Sequence, residues 1–520
     1  MQKTHAWIPP ALLLAVSGLL SRILGVFRDH LLAKTFGASA GAGLFDLDTY
    51  YAAFRFPDLV YNLLVMGAVS AAFIPLFTQY KKEGELKKAW EFASSMMHIL
   101  TLGVLGLSIL IFFFAIPLAH AVAPGFSEAQ ILVTAKLMRI MALSPVLFSV
   151  AAILISIQDS FKHFFFRSLA PLFYNVGIIA SIWFWGPKYG VIGVTWGVIL
   201  GALLQLLVQL PALWEIGYKH QWLMGWKRPD VREGFRLMGP RVLGLSINQL
   251  VGFVSTLITS FLATGSITIY YLAINLQAVP LGIISVSFAI TTFATLAELA
   301  SEPSKEPFAK EIQKIMGKVL FYVIPATLGI LVLKDEIIRT IFRYGKFSDA
   351  DAALITGVLA ILMTAAFAQS LIAILIRGFY SFHDTKTPLQ TGFLSALVTI
   401  GGSLLLGLKL KWGVLGIAAA FSFGDNLNFI LMYGKMRQRI GHPLFCGKDI
   451  LKMGISALVM TGVVYAAKTA VPFDGSAWNR LVIVGLLSLL GVVTYFGLGR
   501  LMGLEEAKRW PRIRPANSQN

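Results

Sequence analysis

The segment WEFASSMMHILTLGVLGLSILIFFFAIPL, residues 90–118, decides the class of fold. After Glu91 it contains no Asp, Glu, Lys or Arg, so no charged side chain in it needs water. A helix of about 20 apolar residues is long enough to cross the hydrocarbon core of a bilayer. Only helices and closed barrels satisfy their backbone hydrogen bonds in lipid, so the segment predicts a membrane-spanning helix.

The composition extends this interpretation to the whole chain of 520 residues. Hydrophobic residues make up 57% and charged residues 13%, and the mean hydropathy is +0.73. A typical soluble domain contains about 25% charged residues, so the solvent for most of this chain must be lipid. Soluble enzymes, nucleic-acid-binding modules and disordered proteins are excluded. The single cysteine, Cys446, excludes an internal disulfide and a cysteine-ligated metal site.

Similar apolar segments recur along the chain, and we predict an all-α polytopic membrane protein with about fourteen spans. The first follows the amino terminus without a convincing cleavage site, so we interpret it as a retained span and not as a signal peptide. The predicted spans lie near 8–33, 45–78, 90–118, 131–157, 165–186, 190–213, 238–263, 267–299, 315–333, 353–376, 388–408, 412–434, 450–470 and 480–502.

The linkers between spans alternate in charge, and this alternation predicts the orientation. The net charge is +18, and the Lys and Arg residues cluster in every second linker, including KKEGELKK (81–88) and KMRQR (435–439). By this partition roughly 28 basic residues lie on one side of the membrane and roughly 10 on the other. Cytoplasmic loops carry the excess of positive charge, so both termini are predicted to be cytoplasmic.

An internal repeat of about 220 residues links the two halves of the chain. The four motif pairs are offset by 219, 220, 221 and 223 residues. Each predicted repeat contains six spans, an even number, so both copies enter the membrane in the same direction. The paired motifs are Arg22-Ile-Leu-Gly25 with Arg241-Val-Leu-Gly244, Phe73-Ile-Pro-Leu76 with Phe293-Ala-Thr-Leu296, Phe126-Ser-Glu-Ala129 with Phe347-Ser-Asp-Ala350, and Lys188-Tyr-Gly-Val-Ile-Gly193 with Lys411-Trp-Gly-Val-Leu-Gly416.

The repeat predicts two parallel six-helix lobes, related by an axis along the membrane normal. The predicted divisions are an amino-terminal lobe at 1–225, a second lobe at 226–445, two additional helices at 446–503 and a basic cytoplasmic tail at 504–520. In transporters the interface between such lobes holds the substrate near the midplane, and we favour that interpretation. The alternative is a duplication retained only for packing.

Charged residues within the first two spans are candidates for a binding site, because charge in a membrane helix is costly. Arg22, Arg28 and Asp29 lie in the first span. Arg22 and Asp29 are seven residues apart and so share a helix face. Arg28 has an alternative role, in which it only neutralises Asp29 or a neighbouring helix.

The second span carries Asp48, Arg55 and Asn62 at seven-residue intervals, which predicts a polar stripe along one helix face, with Pro57 able to kink the helix. In the second lobe Arg241 is the repeat mate of Arg22, and Asn275 is the mate of Arg55. An excess of Arg over acidic residues suits an anionic substrate, because a guanidinium group can bind phosphate oxygens through two parallel hydrogen bonds.

No catalytic constellation is visible in the sequence. The eight His residues are scattered, and no metal-spaced pair, Walker loop or nucleophile elbow is present. We therefore predict a transporter that has no catalytic residues and no metal site, and that is not an enzyme.

Five stretches together resemble the MurJ/MviN family, the lipid II flippases of bacterial cell-wall synthesis in the multidrug/oligosaccharidyl-lipid/polysaccharide exporter superfamily. The resemblance covers nearly the whole chain, and the first and last stretches are the most specific. They are SRILGVFRDHLLAKTFGA (21–38), YYAAFRFPDLVYNLLVMGAVSAAFIPLF (50–77), APGFS (123–127), YGKFSDADA (344–352) and RGFYSFHDTKTP (377–388).

The resemblance implies that lipid II, a polyprenyl-diphosphate disaccharide-pentapeptide, moves from the inner to the outer leaflet of the cytoplasmic membrane by alternating access. It implies a cationic cavity for the head group and a groove beside spans 13 and 14 for the lipid tail. Implied partners are lipid II or a related lipid, membrane lipids and other cell-wall synthesis proteins, but no nucleic acid. The matched positions are Arg22, Arg28, Asp29, Asp48 and Arg55.

The chain departs from the family pattern at two positions. Tyr61 and Asn275 stand where well-known members have Arg, and Arg241 stands where they have a small residue. Arg241 could restore one positive charge to the cavity. No cofactor is implied, and coupling to membrane potential or to sodium is left open.

Two other functions are compatible with these features. The first is export of another polyprenyl-diphosphate glycan, of the O-antigen type, which would also use a basic cavity. The second is a membrane scaffold without transport activity that recruits cell-wall enzymes, in which the polar groups serve only packing. Charge-removing substitutions in the first two spans would be silent in a scaffold.

Overall fold

The structure is a computed structural model that describes residues 10–39, 46–66, 69–473 and 475–508. Within these ranges the structure does not describe the side chains of residues 10–11, 64–66, 69–72, 239–248, 286–287 and 289–291. Helices connected by short turns make up this part of the chain, with no β-strand among the described residues. The predicted all-α fold is confirmed.

Ten helices in the described part are long and apolar enough to cross a membrane, or eleven if one bent pair forms a single span. Mean hydropathy over an 18-residue window reaches 2.4 in the most apolar of them. The chain is therefore a multi-pass membrane protein. The count of fourteen stays a prediction, in part because the first and second predicted spans include residues outside the described set.

The helices form two compact units. The first contains the described residues up to Leu272, together with Tyr344–Asp351 and Ser403–Ile417. The lobe boundaries drawn from the repeat remain a prediction. The helices of the first unit are α1 (Pro10–Phe36), α2 (Leu47–Ala53), α3 (Arg55–Val60), a π-helical segment (Tyr61–Met66), α4 (Val69–Lys82), α5 (Leu86–Phe113), α6 (Ala115–Val122), α7 (Glu128–Met141), α8 (Ser144–Ser160), α9 (Phe164–Phe184), α10 (Gly186–Leu207), α11 (Leu210–Ile216), α12 (Pro229–Thr259) and the start of α13 (Ser266–Ala300).

The second unit contains Ala273–Arg343, Ala352–Gly402 and the described residues from Ala418 onwards. It begins within α13. Its other helices are α14 (Glu306–Val332), α15 (Lys334–Ile341), α16 (Asp349–Met363), α17 (Ala366–Ser381), α18 (Lys386–Gly402), α19 (Gly413–Ile440), α20 (Gly447–Ala470), α21 (Ala477–Leu501) and α22 (Glu505–Lys508). A second π-helical segment (Ser403–Lys409) follows α18 in the chain and is assigned to the first unit.

Small residues allow the tightest helix contact of the first unit, between α9 and α10. A Cβ atom added to Gly177 would overlap the backbone of Gly201 on the facing helix. Any larger side chain at Gly177 would therefore push the two helices apart. Close approach of backbones through small residues is a usual way for helices to associate in membranes.

Two of the repeated motifs form the same local structure in each copy. Ser127 and Gln130 form a capping box at the start of α7. At the start of α16, Asp351 N donates to Ser348 Oγ over 3.1 Å, and Ser348 N donates to Asp351 Oδ2 over 3.0 Å. Equivalent helices therefore begin with the same reciprocal capping, which satisfies amide groups at the helix amino terminus.

The paired glycines Gly190 and Gly413 also share a conformation. Their φ angles are 59° and 60°, in the left-handed region that favours glycine. The two glycines are 223 residues apart, which is the offset of the motif pair that contains them. A glycine with positive φ therefore occurs at the same place in each repeat.

The additional helices α20 and α21 pack against α14 through a buried aromatic cluster in the second unit. The ring centroids of Phe321 and Tyr495 are 5.1 Å apart, and both side chains are buried. On the other side, Leu458 and Leu486 are 66% and 61% exposed. Large exposed leucines are expected on a lipid-facing surface, because lipid is as apolar as the side chains.

Candidate functional site

The predicted site residues are distributed over both units. Arg22, Arg28 and Asp29 lie on α1, Asp48 on α2 and Arg55 at the start of α3, all in the first unit. Asn275 lies on α13 within the second unit and is partly buried. Arg241 lies on α12, but its side chain is outside the described set, so its role as the repeat mate of Arg22 in substrate binding remains a prediction.

Arg28 forms an ion pair with its neighbour Asp29. Its Nη2 and Nε donate to the same Asp29 oxygen over 2.8 and 3.0 Å, and its Nη1 donates to Asn175 Oδ1 over 3.2 Å. Asp29 is 3% exposed. A buried carboxylate needs such a partner, because an unpaired charge in a low-dielectric interior is costly. The contact supports the alternative that Arg28 neutralises Asp29.

Arg22 lies on the same helix and is partly buried. Leu20, two residues earlier, is 46% exposed and faces away from it. Two residues along a helix correspond to roughly 200° of rotation, which is consistent with this difference.

Asp48 accepts hydrogen bonds at the start of α13. Its two oxygens accept from Gly265 N over 2.7 Å, from Thr268 N over 2.8 Å and from Thr268 Oγ1 over 2.6 Å. The side chain is 2% exposed. A carboxylate at a helix amino terminus satisfies free amide groups and also interacts favourably with the helix dipole. In this conformation Asp48 therefore stabilises the start of α13.

Arg55 has a different environment. Its Nε donates to Thr256 Oγ1 over 2.6 Å, and its guanidinium carbon lies 4.6 Å from the ring centroid of Tyr271. A Cβ at Gly252 would lie 3.0 Å from Nη1, so the glycine leaves room for the guanidinium group.

Among the described residues, no carboxylate lies within ion-pair distance of Arg55. The terminal nitrogens of Arg55, Nη1 and Nη2, make no hydrogen bond to a described residue. Asp58, one turn along, interacts with Arg55 electrostatically without forming an ion pair. The guanidinium group therefore keeps its charge and two pairs of N–H donors for a further partner. A cation stacked on an aromatic face is stabilised without being neutralised.

The polar stripe predicted for the second span does not run along a single helix. The chain turns at Phe54 between α2 and α3, and it is π-helical from Tyr61 to Met66. A seven-residue spacing keeps side chains on one face only along an uninterrupted α-helix, so these breaks interrupt the stripe. Asn62 donates its side-chain amide to the carbonyl of Asp58 over 2.9 Å, so it satisfies the backbone of its own segment.

Tyr61, at the first departure from the family pattern, lies in an aromatic contact. Its ring centroid is 4.6 Å from that of Phe148 on α8. The ring thus packs against a neighbouring helix of the first unit.

The long-range contacts of Arg55 and Arg28 were not predicted from the sequence. Thr256, Tyr271 and Asn175 lie far along the chain from the arginines that they contact, and no local spacing indicates such pairs. One further residue carried a signal that was not used. Asp425 is the lone acidic residue in the predicted span 412–434, and it hydrogen-bonds Gln369.

A second cluster links α4, α5 and α12 at or just beyond the ends of the predicted spans. Arg228 donates to Glu91 over 2.7 Å and to Asp230 over 2.8 and 3.1 Å, while Tyr80 OH donates to Asp230 over 2.9 Å. Burial alone would raise the pKa of Asp230, but the hydrogen bonds from Arg228 and Tyr80 bring it below its ordinary value.

His98 and His220 are also adjacent, with their Nε2 atoms 3.2 Å apart. They are 122 residues apart in the chain, so no local spacing indicates the pair. No group of three or more metal-ligating side chains occurs within the described residues.

Comparisons with known proteins identify the family. A sequence profile described as "Lipid II flippase MurJ" matches residues 32–483. A protein from Buchnera aphidicola subsp. Acyrthosiphon pisum, named "Probable lipid II flippase MurJ", is 30% identical over 83% of this chain and 84% of its own length. The chain belongs to the MurJ family. The resemblance seen in the sequence motifs is confirmed.

Solved structures agree with this assignment. A structure titled "Lipid II flippase MurJ, inward closed conformation" superposes with a TM-score of 0.78 and 25% sequence identity, covering 94% of this chain and 98% of the other. An inward-facing multidrug resistance MATE family transporter of the MOP superfamily superposes with a TM-score of 0.66 at 13% identity, covering 81% of this chain and 94% of the other. The second likeness shows a shared fold.

Proposed function

We propose that this chain translocates lipid II from the inner to the outer leaflet of the bacterial cytoplasmic membrane by alternating access, for peptidoglycan synthesis. Family membership across residues 32–483 is the observation that carries the proposal. The helices long enough to span a membrane support a transport function. In this proposal both termini are cytoplasmic, as the charge of the linkers predicts.

Arg55 supplies the chemistry that recognises the diphosphate. Its terminal nitrogens are not engaged by a described residue, and its Nε is held by Thr256. A guanidinium group fixed at one nitrogen and stacked on Tyr271 is preorganised, so little side-chain entropy is lost when it binds an anion. Phosphate oxygens accept two parallel hydrogen bonds from such a group.

Other residues have supporting roles in this proposal. Arg22, Arg241 and Asn275 are each proposed to contribute to head-group binding, with Arg241 supplying the positive charge that Asn275 lacks. Asp48 orders the start of α13 through its three hydrogen bonds. Membrane potential or a sodium gradient would supply the driving force, and other cell-wall synthesis proteins would be partners.

The proposal is tested by flipping of fluorescent lipid II in proteoliposomes that contain the purified full chain. A strain depleted of its own lipid II flippase provides the parallel test in cells. We expect the chain to flip lipid II and to restore growth. Arg55→Ala should lose both activities. Arg139→Ala removes a partly buried arginine that contacts the carbonyl and ring of Phe112, and it should keep them.

Three results would contradict the proposal. Preferred flipping of a different polyprenyl-diphosphate glycan would identify an exporter of that lipid. Growth restored by a protein that flips no lipid would identify a scaffold. Full activity of Arg55→Ala would exclude Arg55 as the diphosphate ligand.

A further inference from the structure

A broken membrane helix lies in the second unit. α16 ends at Met363 and α17 begins at Ala366, and their axes differ by 42°. No Pro or Gly lies between Ile361 and Ala366, so the bend must come from other hydrogen bonds. Thr364 N and Ala365 N donate to carbonyls three residues earlier, over 3.1 and 3.0 Å.

Polar side chains from two other helices bond the carbonyls at the end of α16. Ser422 Oγ on α19 donates to Ile361 O over 2.9 Å, and Gln277 Nε2 on α13 donates to Leu362 O over 2.6 Å. Broken helices are tolerated inside a membrane only where neighbours satisfy the freed backbone groups. These contacts therefore stabilise the amino-terminal side of the break.

Asp425 holds the other side. Gln369, in the first turn of α17, donates its side-chain Nε2 to Asp425 Oδ2 over 2.7 Å. Asp425 and Ser422 are three residues apart on α19 and so lie on the same face. One face of α19 therefore contacts both halves of the broken helix, through a hydroxyl on one side of the break and a carboxylate on the other.

The carboxylate of Asp425 has no charged partner among the described residues. On α17 the nearest charged residue is Arg377, eight positions after Gln369, or about 12 Å along the helix. On α19 it is Lys435, ten positions after Asp425, or about 15 Å along the helix. In the second unit, the described parts of α13, α16 and α18 carry only Glu298 and Lys386, which lie close to helix ends.

A carboxylate in this position requires compensation, because an isolated charge in a low-dielectric environment is costly. A bound metal cation is disfavoured, since Gln369 points an N–H donor at one carboxylate oxygen and the neighbouring carbonyls already accept hydrogen bonds. A proton is compatible with the same contacts. An amide can donate N–H to a carboxylate or accept O–H from a carboxyl group, so Gln369 can bond both forms.

We propose that Asp425 is a proton-binding site whose charge controls the bend between α16 and α17. Protonation takes a proton from water and converts the carboxylate into a neutral carboxyl group, and deprotonation returns that proton. The two forms bond Gln369 differently, so they hold α17 against α19 in different ways. The effect on transport rests on the proposed flippase function, whereas proton binding itself does not.

The first experiment measures protonation directly. Infrared difference spectra of the purified full chain in lipid nanodiscs are recorded across the pH range in which the protein stays folded. We expect a carboxyl C=O band that titrates with pH, disappears in Asp425→Asn and persists in the matched control Asp384→Asn, which removes a carboxylate outside the spans that pairs with Arg439. Gln369→Leu should keep the band and change its frequency.

Two results would overturn the proton site. One is a spectrum in which Asp425→Asn removes no titrating band. The other is a band whose titration is displaced by sodium, which would indicate a metal-ion site instead. Folding of each variant is checked by its melting temperature. If Asp425→Asn does not fold, Gln369→Leu provides the test: a changed frequency of the titrating carboxyl band supports the proton site, and an unchanged frequency contradicts it.

The second experiment measures lipid flipping in proteoliposomes as a function of pH. Asp425→Asn mimics the neutral form permanently, so its rate should lose the pH dependence of the wild-type protein, while Asp384→Asn should keep it. A wild-type pH profile in Asp425→Asn would contradict control of transport by this proton. A wild-type chain that flips no lipid would contradict the proposed function, and the infrared titration would still decide the proton site.

Discussion

Arg28 and Arg55 are both arginines in the first two predicted spans, but their surroundings differ. Arg28 pairs with the buried carboxylate of Asp29, whereas Arg55 contacts a hydroxyl and an aromatic ring. The first guanidinium group is already neutralised, and the second retains its charge and its terminal donors. A position inside a membrane span therefore does not identify a substrate ligand by itself, because the local partner decides what the charge can do.

The largest expected effect comes from breaking the paired site. Arg28→Ala removes the cation that pairs with the buried carboxylate of Asp29, which should cost about 3–5 kcal/mol of folding free energy. Thermal unfolding of the purified protein measures this loss. The double variant Arg28→Gln/Asp29→Asn removes both charges together and should recover most of the stability. Wild-type stability of Arg28→Ala would show that Asp29 does not depend on Arg28.

A smaller loss is expected at the start of α13. Asp48→Ala removes three hydrogen bonds, including two to backbone amides, and should destabilise the protein by about 1–3 kcal/mol. Thr268→Val removes one of the three and should cost roughly a third as much. Should Asp48→Ala keep wild-type stability but lose lipid II binding, Asp48 would be a substrate ligand, as the sequence motif implies, and not a helix cap.

The smallest effect is expected at the cluster of Arg228 and Asp230. Because the folded-state pKa of Asp230 lies below its ordinary value, its contribution to stability is complete above the ordinary carboxyl range and is lost as pH falls through the lowered value. Acidification should therefore reduce the melting temperature of the wild-type protein more than that of Asp230→Asn. We expect the ion pair to contribute about 1 kcal/mol to the free energy of unfolding, because the pair is partly exposed. Parallel pH profiles of the two proteins would contradict this account.

The class of fold could be predicted from the sequence because lipid imposes long apolar helices on any chain that crosses it. Family membership was predictable for a related reason, since the specific motifs are short and continuous. The boundaries within the second span were not predictable. The turn at Phe54 and the π-helical segment that begins at Tyr61 depend on packing, whereas the seven-residue spacing carries information only about an ideal helix.

The candidate residues were predicted better than their roles. The charge of Arg28 and Arg55 is evident in the sequence, but the partners that distinguish them, Asn175 and Tyr271, lie on distant helices. Asp425 illustrates the opposite case. A lone acid in an apolar span is visible without a structure, although its role at a helix break requires the contact with Gln369.

The central claim is that the unpaired arginine, Arg55, binds the diphosphate. The most direct test is the dissociation constant for lipid II of the purified protein in nanodiscs. Hydrogen bonds to a charged group contribute about 1.5–3 kcal/mol, so Arg55→Ala should weaken binding by about 10–100-fold. Arg55→Lys should recover part of the affinity, because an ammonium group keeps the charge and loses the forked geometry. The neutral pair Arg28→Gln/Asp29→Asn should bind almost as well as the wild-type protein. Wild-type affinity in Arg55→Ala, together with lost affinity in the neutral pair, would contradict the account.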